Sequence, residues 1–152
     1  MEVKDRKDCL FARRDPVGEV VRCYVNLTKR CVSCLAVQQP HSGYVIAHRQ
    51  AVLLNDCEFI VNERGRKRVL REKKKYVHAF VKGRAVAARD FGETTSFAPF
   101  SIRHDLVRVH YNPYEDATFV DDLCNPVTRA RQVLLSTGED GHVICYARGV
   151  IS

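Results

Sequence analysis

No run of apolar residues in this chain approaches the ~20 that a transmembrane helix needs. The first fourteen residues, Met1–Arg14, are polar and charged where a secretory leader would be apolar. Neither a membrane span nor export is expected. There is no tryptophan, so any ring offered to a ligand must come from Tyr or Phe. Seven cysteines are present, but their number is odd and their spacing irregular. That pattern does not build a disulfide framework, and it points to free thiols in a reducing cytoplasm. No internal repeat, low-complexity tract or domain boundary interrupts the 152 residues, which fit one domain, 1–152, with one core.

Signatures of catalysis are missing as well. There is no P-loop, no GxGxxG and no HExxH. No Ser or Cys sits in a nucleophile motif, and the six histidines are scattered. Phosphodiester-cleaving metal sites need clustered carboxylates. The acidic pairs Glu115-Asp116 and Asp121-Asp122 read equally well as turn residues. A non-enzymatic role without cofactor is expected, with a small phosphodiesterase as the remaining catalytic alternative. Cys31-Val-Ser-Cys34 is the one metal-like spacing, with Cys31 and Cys34 as its two thiols. A zinc tetrahedron needs a second pair; there is no second CxxC, and the nearby candidates are His41, His48 and Cys57. In a strand the two thiols would face opposite sides. Buried free cysteines are the expectation.

What is abundant is positive charge in one place. Arg64–Lys75 reads RGRKRVLREKKK: Arg64, Arg66, Lys67, Arg68, Arg71, Lys73, Lys74 and Lys75 against the single acid Glu72. That excess equals the whole net charge of +7, so the remainder of the chain is neutral in sum. Such a run repels itself unless an anionic partner or salt compensates it. Arg suits bidentate contact with phosphate. The solvated-face and address readings are the bland alternatives.

Elsewhere the pattern has period two. Val21, Cys23, Val25 and Leu27 alternate with Arg22, Tyr24 and Asn26, Val107, Val109 and Tyr111 with Arg108 and His110, and Val143, Cys145 and Ala147 have Ile144 and Tyr146 on the other face. These predict half-buried antiparallel strands. Further strands are expected at 31–37, 44–54 and 76–81, and a hairpin joins 132–135 to 142–147. Only 62–75 reads as a helix: Asn62 is a candidate N-cap, Glu63 lies in the first turn, and bases gather toward the end. The expected fold is α+β, mainly antiparallel, a small bent sheet or partial barrel with one basic helix packed on it.

The C-terminal block holds a second constellation. Asn112 begins an Asn-Pro turn flanked by Tyr111 and Tyr114, Arg129 and Arg131 follow, and the Phe-rich segment 89–101 supplies Phe97 and Phe100. An Asn can bond a base edge, an aromatic ring can stack on it, and Arg can hold phosphate. The run VHYNPYEDATFVDDLCNPVTRARQVLL, with RKRVLREKKKYVHAFVKG before it, resembles the first type of Thoeris anti-defence protein, a phage-encoded sponge. The resemblance covers about half the chain. It implies a homo-oligomer that captures cyclic ADP-ribose-type signals or cyclic oligonucleotides without cleaving them. By that resemblance Asn112 matches the base-holding Asn, Arg129 a phosphate-contacting Arg, and Phe100 or Phe97 the ring that stacks on adenine. The alternative from charge alone is an RNA- or DNA-binding module that uses 64–75 as a backbone clamp.

Overall fold

In a computed structural model of the chain the described residues are 15–26, 29–38, 42–73, 79–90, 106–111, 119–137 and 143–151. They form ten strands and one helix: β1 Val20–Asn26, β2 Cys31–Ala36, β3 Val45–Arg49, β4 Ala51–Val61, α1 Glu63–Glu72, β5 Ala79–Arg89, β6 Leu106–Arg108, β7 His110–Tyr111, β8 Phe119–Val120, β9 Arg129–Thr137 and β10 Val143–Ile151. Eight strands make one antiparallel sheet in the order β3-β2-β1-β5-β4-β9-β10-β6. β7 and β8 pair separately as a two-stranded ribbon. The sheet is bent but not closed: β3 and β6 are its two edges.

The bend has a cause in composition. Among the described residues one ten-residue helix accompanies the eight-stranded sheet, and the small residues of the sheet's inner face pack largely against one another. β2 approaches β9 and β4 although β1 and β5 stand between β2 and β4 in the hydrogen-bonded order. The inner face is small and β-branched, with Val21, Cys23, Val32, Cys34, Val52, Leu54, Val81, Ala85, Val133 and Ala147 in one cluster. Val109, Val127 and Phe119 of the ribbon region join it, and Phe119 lies 4.9 Å from Phe59 between ring centroids.

A kink crosses three neighbouring strands. In β4 Leu54 and Cys57 both face inward, in β9 Val133 and Ala130, in β10 Ala147 and Val150. Their spacing of three, where a flat strand gives two or four, is absorbed at Asp56 (φ 53), Arg131 and Gly149 (φ 65). An extra residue of this kind bends a strand and increases its twist. The same bulge presses β4 onto β5: a Cβ at Gly83 would lie 2.8 Å from the Asn55 carbonyl oxygen and 3.1 Å from Cys57 Sγ.

The helix is shorter than the 62–75 expected. Asn62 caps it by accepting from Gly65 N at 3.2 Å, and Glu63 occupies the positive end of the dipole. It stops at Lys73, whose left-handed backbone (φ 54) returns its N–H to the Val69 carbonyl at 2.8 Å. Val69 is its one buried residue.

Three strand boundaries also differ. The single strand expected over 44–54 is two, because the chain changes partners at Gln50. β3 pairs with β2, whereas β4 pairs with β5 and β9. Gln50 is a corner residue: its Oε1 accepts from Arg89 Nε at 2.6 Å and its Nε2 donates to Ser136 Oγ at 3.1 Å. The strand expected at 76–81 instead begins, among described residues, at Ala79 and runs on to Arg89. The alternation over 107–111 is divided at Val109 between two sheets. The expected hairpin joins β9 to β10 in register from Val143↔Thr137 to Ile151↔Arg129.

The Gly83 approach sets a prediction. Gly83→Ala will destabilise the fold by about 1–3 kcal/mol, because the clash is with backbone and not with a mobile side-chain tip. Chemical denaturation of the two proteins checks this.

Candidate nucleic-acid interface

Helical spacing sorts the basic run into two sides. Arg64, Lys67, Arg68 and Arg71 stand at i, i+3, i+4 and i+7, within one exposed face. Val69, fully buried, marks the opposite side. Arg66 turns back toward the body: its side chain is 15% exposed and lies 3.9 Å from Glu63. Arg68 Nε pairs with Glu72 at 2.9 Å. Among the described residues, Arg64, Lys67, Arg71 and Lys73 have no ion pair. The four cations of the stripe span about 10 Å of helix axis at ~1.5 Å per residue. Lys74 and Lys75 lie outside the described residues.

The strands add cations that sequence reasoning did not assemble. Cross-strand register sets Arg22 opposite Lys82, Lys82 opposite Glu58, and Glu58 opposite Arg129. The next row runs Arg84, Asn55, Gln132, Arg148. These residues point away from the inner cluster, and Arg84 and Arg129 are exposed. The row is stitched by hydrogen bonds: Gln132 Nε2 donates to Asn55 Oδ1 at 2.8 Å, and Arg148 Nη1 donates to Gln132 Oε1 at 2.9 Å. Arg22 lies over the Phe80 ring, 4.9 Å from its centroid. Alternation alone shows which residues point outward; which cations become neighbours depends on pairing between strands far apart in sequence.

Of the C-terminal constellation, Asn112, Tyr114, Phe97 and Phe100 lie outside the described residues. Arg129 and Arg131 are both exposed, but they play different parts. Arg129 belongs to the outer row beside Glu58. Arg131 sits on the kink, with its side chain packed across Gly149.

Cys31 and Cys34 face opposite sides of β2, so this pair cannot grip one metal ion. Cys34 is on the inner face, its Sγ 3.4 Å from Cys23 Sγ directly across β1. Cys31 is on the outer face, 3.5 Å from His48 Nδ1. Among the described residues no three His, Cys, Asp or Glu gather as a metal site. Hydrogen bonding and burial push the Cys23 thiol well above its ordinary range, and burial pushes Cys57 up to about 12. Raised thiols are poor nucleophiles.

One arrangement imitates a catalytic dyad. Ser33 Oγ lies 2.9 Å from His48 Nδ1, and Asn26 Nδ2 donates to the same oxygen at 3.3 Å. Lys29 Nζ, however, lies 3.3 Å from His48 Nε2. An ammonium only donates, so Nε2 accepts and Nδ1 carries the proton. His48 then donates to Ser33 and cannot take its proton. Ser33 is also fully buried. The group ties β1, β2 and β3 together. Asp121 is likewise a turn residue: Oδ1 accepts from Leu123 N and Asn125 N, both at 2.9 Å. Those bonds, led by the one from Asn125, lower its pKa.

Comparison with known proteins completes the description. The family described as Mycobacterium phage L5 gene 82 protein matches residues 15–143. The chain belongs to that family. A gene 82 protein from Mycobacterium phage L5 is 36% identical over 90 residues, covering 58% of this chain and 61% of the relative. The chain thus spans less than two thirds of that gene 82 relative. No solved structure matches. The match establishes a phage protein family, and no helix among the described residues is long and apolar enough to cross a membrane.

The buried thiols yield a pH prediction. Cys57 ionises in the unfolded chain near 9.0 but in the folded protein only at about 12. Its contribution to stability is therefore complete below pH 9 and is lost as pH rises from 9 toward 12, at about 1.4 kcal/mol per pH unit. Cys57→Ala will remove this component, so the stability difference between the two proteins will shrink across that window. Denaturation curves at stepped pH measure it.

Proposed function

We propose that this phage protein binds the phosphate backbone of nucleic acid through the exposed stripe of α1, without cleaving it. The supporting observation is the helical clustering of Arg64, Lys67, Arg68 and Arg71 on the side opposite the buried Val69. Solubility does not need four cations on one face of a ten-residue helix. A regular polyanion meets such a stripe well, since a duplex presents about one charge per 1.7 Å of axis. The His48 tautomer and the turn role of Asp121 favour binding over hydrolysis.

A second reading is capture of a small cyclic nucleotide immune signal, as in the Thoeris anti-defence sponges that the C-terminal block resembles. It draws on the exposure of Arg129 and Arg131. Its base-holding residues would be Asn112 and Tyr114 with Phe97 or Phe100.

Fluorescence anisotropy with a short labelled duplex tests the first reading. Affinity will fall steeply between about 50 and 200 mM salt, as counterion release requires. Lys67→Glu with Arg71→Glu will weaken binding at least tenfold and flatten the salt slope by about two. Unchanged binding in that double variant overturns the proposal. Thermal shift with cyclic ADP-ribose and cyclic dinucleotides, followed by mass analysis of the released ligand, tests the second. A rise in melting temperature with intact ligand recovered supports capture, and linearised ligand refutes it.

A further inference from the structure

The basic run accounts for the net charge, yet the outer face of the sheet is also basic. Across β1, β5, β4, β9 and β6 it carries Arg22, Lys82, Arg84, Arg129 and Arg108, with Glu58 as the acid in their rows. Arg84, Arg108 and Arg129 are exposed. The two rows are two residues apart on β5, about 6.8 Å, and three apart on β4 and β9, where the kink intervenes.

We infer that this outer face is a second binding surface, and that its ligand is single-stranded nucleic acid. Charge complementarity argues for a polyanion. Three features argue for a single strand. Part of this face is covered, where Tyr24, Leu35, Val45 and Phe80 are buried; the exposed part beside them is the convex side of a bent sheet, and a stiff duplex meets a convex surface only along a narrow line, whereas a flexible strand drapes over it. Next to the cations lies a half-buried apolar row, Leu53, Leu134 and Tyr146, with Arg108 directly opposite Tyr146. An unpaired base has an open face to lay on that row, and a paired base does not. The amides Asn55 and Gln132 stand one row away, beside Arg84 and Arg148. Phosphates held by Arg84 and Arg129 thus place bases toward the Tyr146 platform.

This surface shares with α1 only the chemistry of its ligand, so the two can be separated. The probe is a labelled oligothymidylate, which forms no duplex, read by anisotropy beside the duplex used for α1. The triple variant Arg84→Gln, Arg108→Gln, Arg129→Gln removes three charges and keeps side-chain length. It is expected to bind oligothymidylate about tenfold or more weakly, with a flatter salt slope and unchanged duplex affinity. Tyr146→Leu keeps the apolar packing and removes the ring. It is expected to weaken oligothymidylate about fivefold or more with the salt slope unaltered, the signature of stacking. Retained duplex binding and an unshifted melting temperature show that each variant is folded. The inference is overturned if the wild type does not bind oligothymidylate, or if the triple variant binds it as the wild type does. Loss of oligothymidylate binding in the Lys67→Glu, Arg71→Glu protein alone also overturns it, by assigning both ligands to α1. Duplex binding that fails while oligothymidylate binding stands removes the α1 proposal and leaves this one.

Discussion

A broad sheet whose inner face is lined by small apolar residues can bury that face only by bending until it meets itself. That constraint organises this molecule. The inner face can close up because its residues are small: Val, Ala and Cys dominate the cluster shared by β1, β2, β4, β5, β9 and β10. A flat sheet would leave these residues wet, at a loss of about 25 cal/mol per Å² of apolar surface. The kink through Asp56, Arg131 and Gly149 and the tight approach of Gly83 to Asn55 are how the backbone achieves the bend. The buried thiols fit the same requirement. Cys23, Cys34 and Cys57 act as small apolar fillers. The raised pKa of Cys57 expresses how dry the interior is, and that of Cys23 its hydrogen bond with Cys34 together with burial.

Bending inward has a consequence on the other side. Every strand that sends one residue into the core sends the next to the convex surface. There the residues are Arg22, Lys82, Arg84, Arg129 and Arg148 with the amides Asn55 and Gln132, beside the buried cluster of Tyr24, Leu35, Val45 and Phe80. The neutral sum of the chain outside 64–75 concealed this, since a balanced total says nothing about which charges become neighbours. Acids such as Asp121 and Asp122 offset those arginines arithmetically but belong to the turn after β8.

The parts legible in the sequence were local. Period-two alternation located β1 and β10, the hairpin reading placed β9 beside β10, a strand was expected where β2 lies, and the Asn62 cap with Glu63 behind it located the start of α1. The opposed faces of Cys31 and Cys34 also followed from a strand's geometry. What escaped was set by distant partners. Nothing in VIAHRQAVLL announces a corner at Gln50; there the amide accepts from Arg89 and donates to Ser136, both distant in sequence. Ala-rich GRAVAAR reads poorly as a strand, yet β5 is held between β1 and β4 by their ladders, and its small residues are what the crowded inner face needs. The outer rows escaped for the same reason, because register between strands is non-local.

Like charges set directly opposite one another on a sheet are destabilising, and Arg22 faces Lys82 in that way. Part of the cost is relieved inside the protein, where Arg22 lies over the Phe80 ring and Lys82 has Glu58 on its other side. The helix stripe has less relief, since Glu72 answers only Arg68. Salt and a polyanion therefore act on the same cations with opposite results. Salt screens the repulsion and strengthens the free fold, while it weakens the ligand by competing for the phosphates. A phosphate chain laid along either surface removes the repulsion at its source, so binding and folding stability are linked through one set of charges. Bound ligand should consequently stabilise the protein most at low salt, where the free protein is most strained.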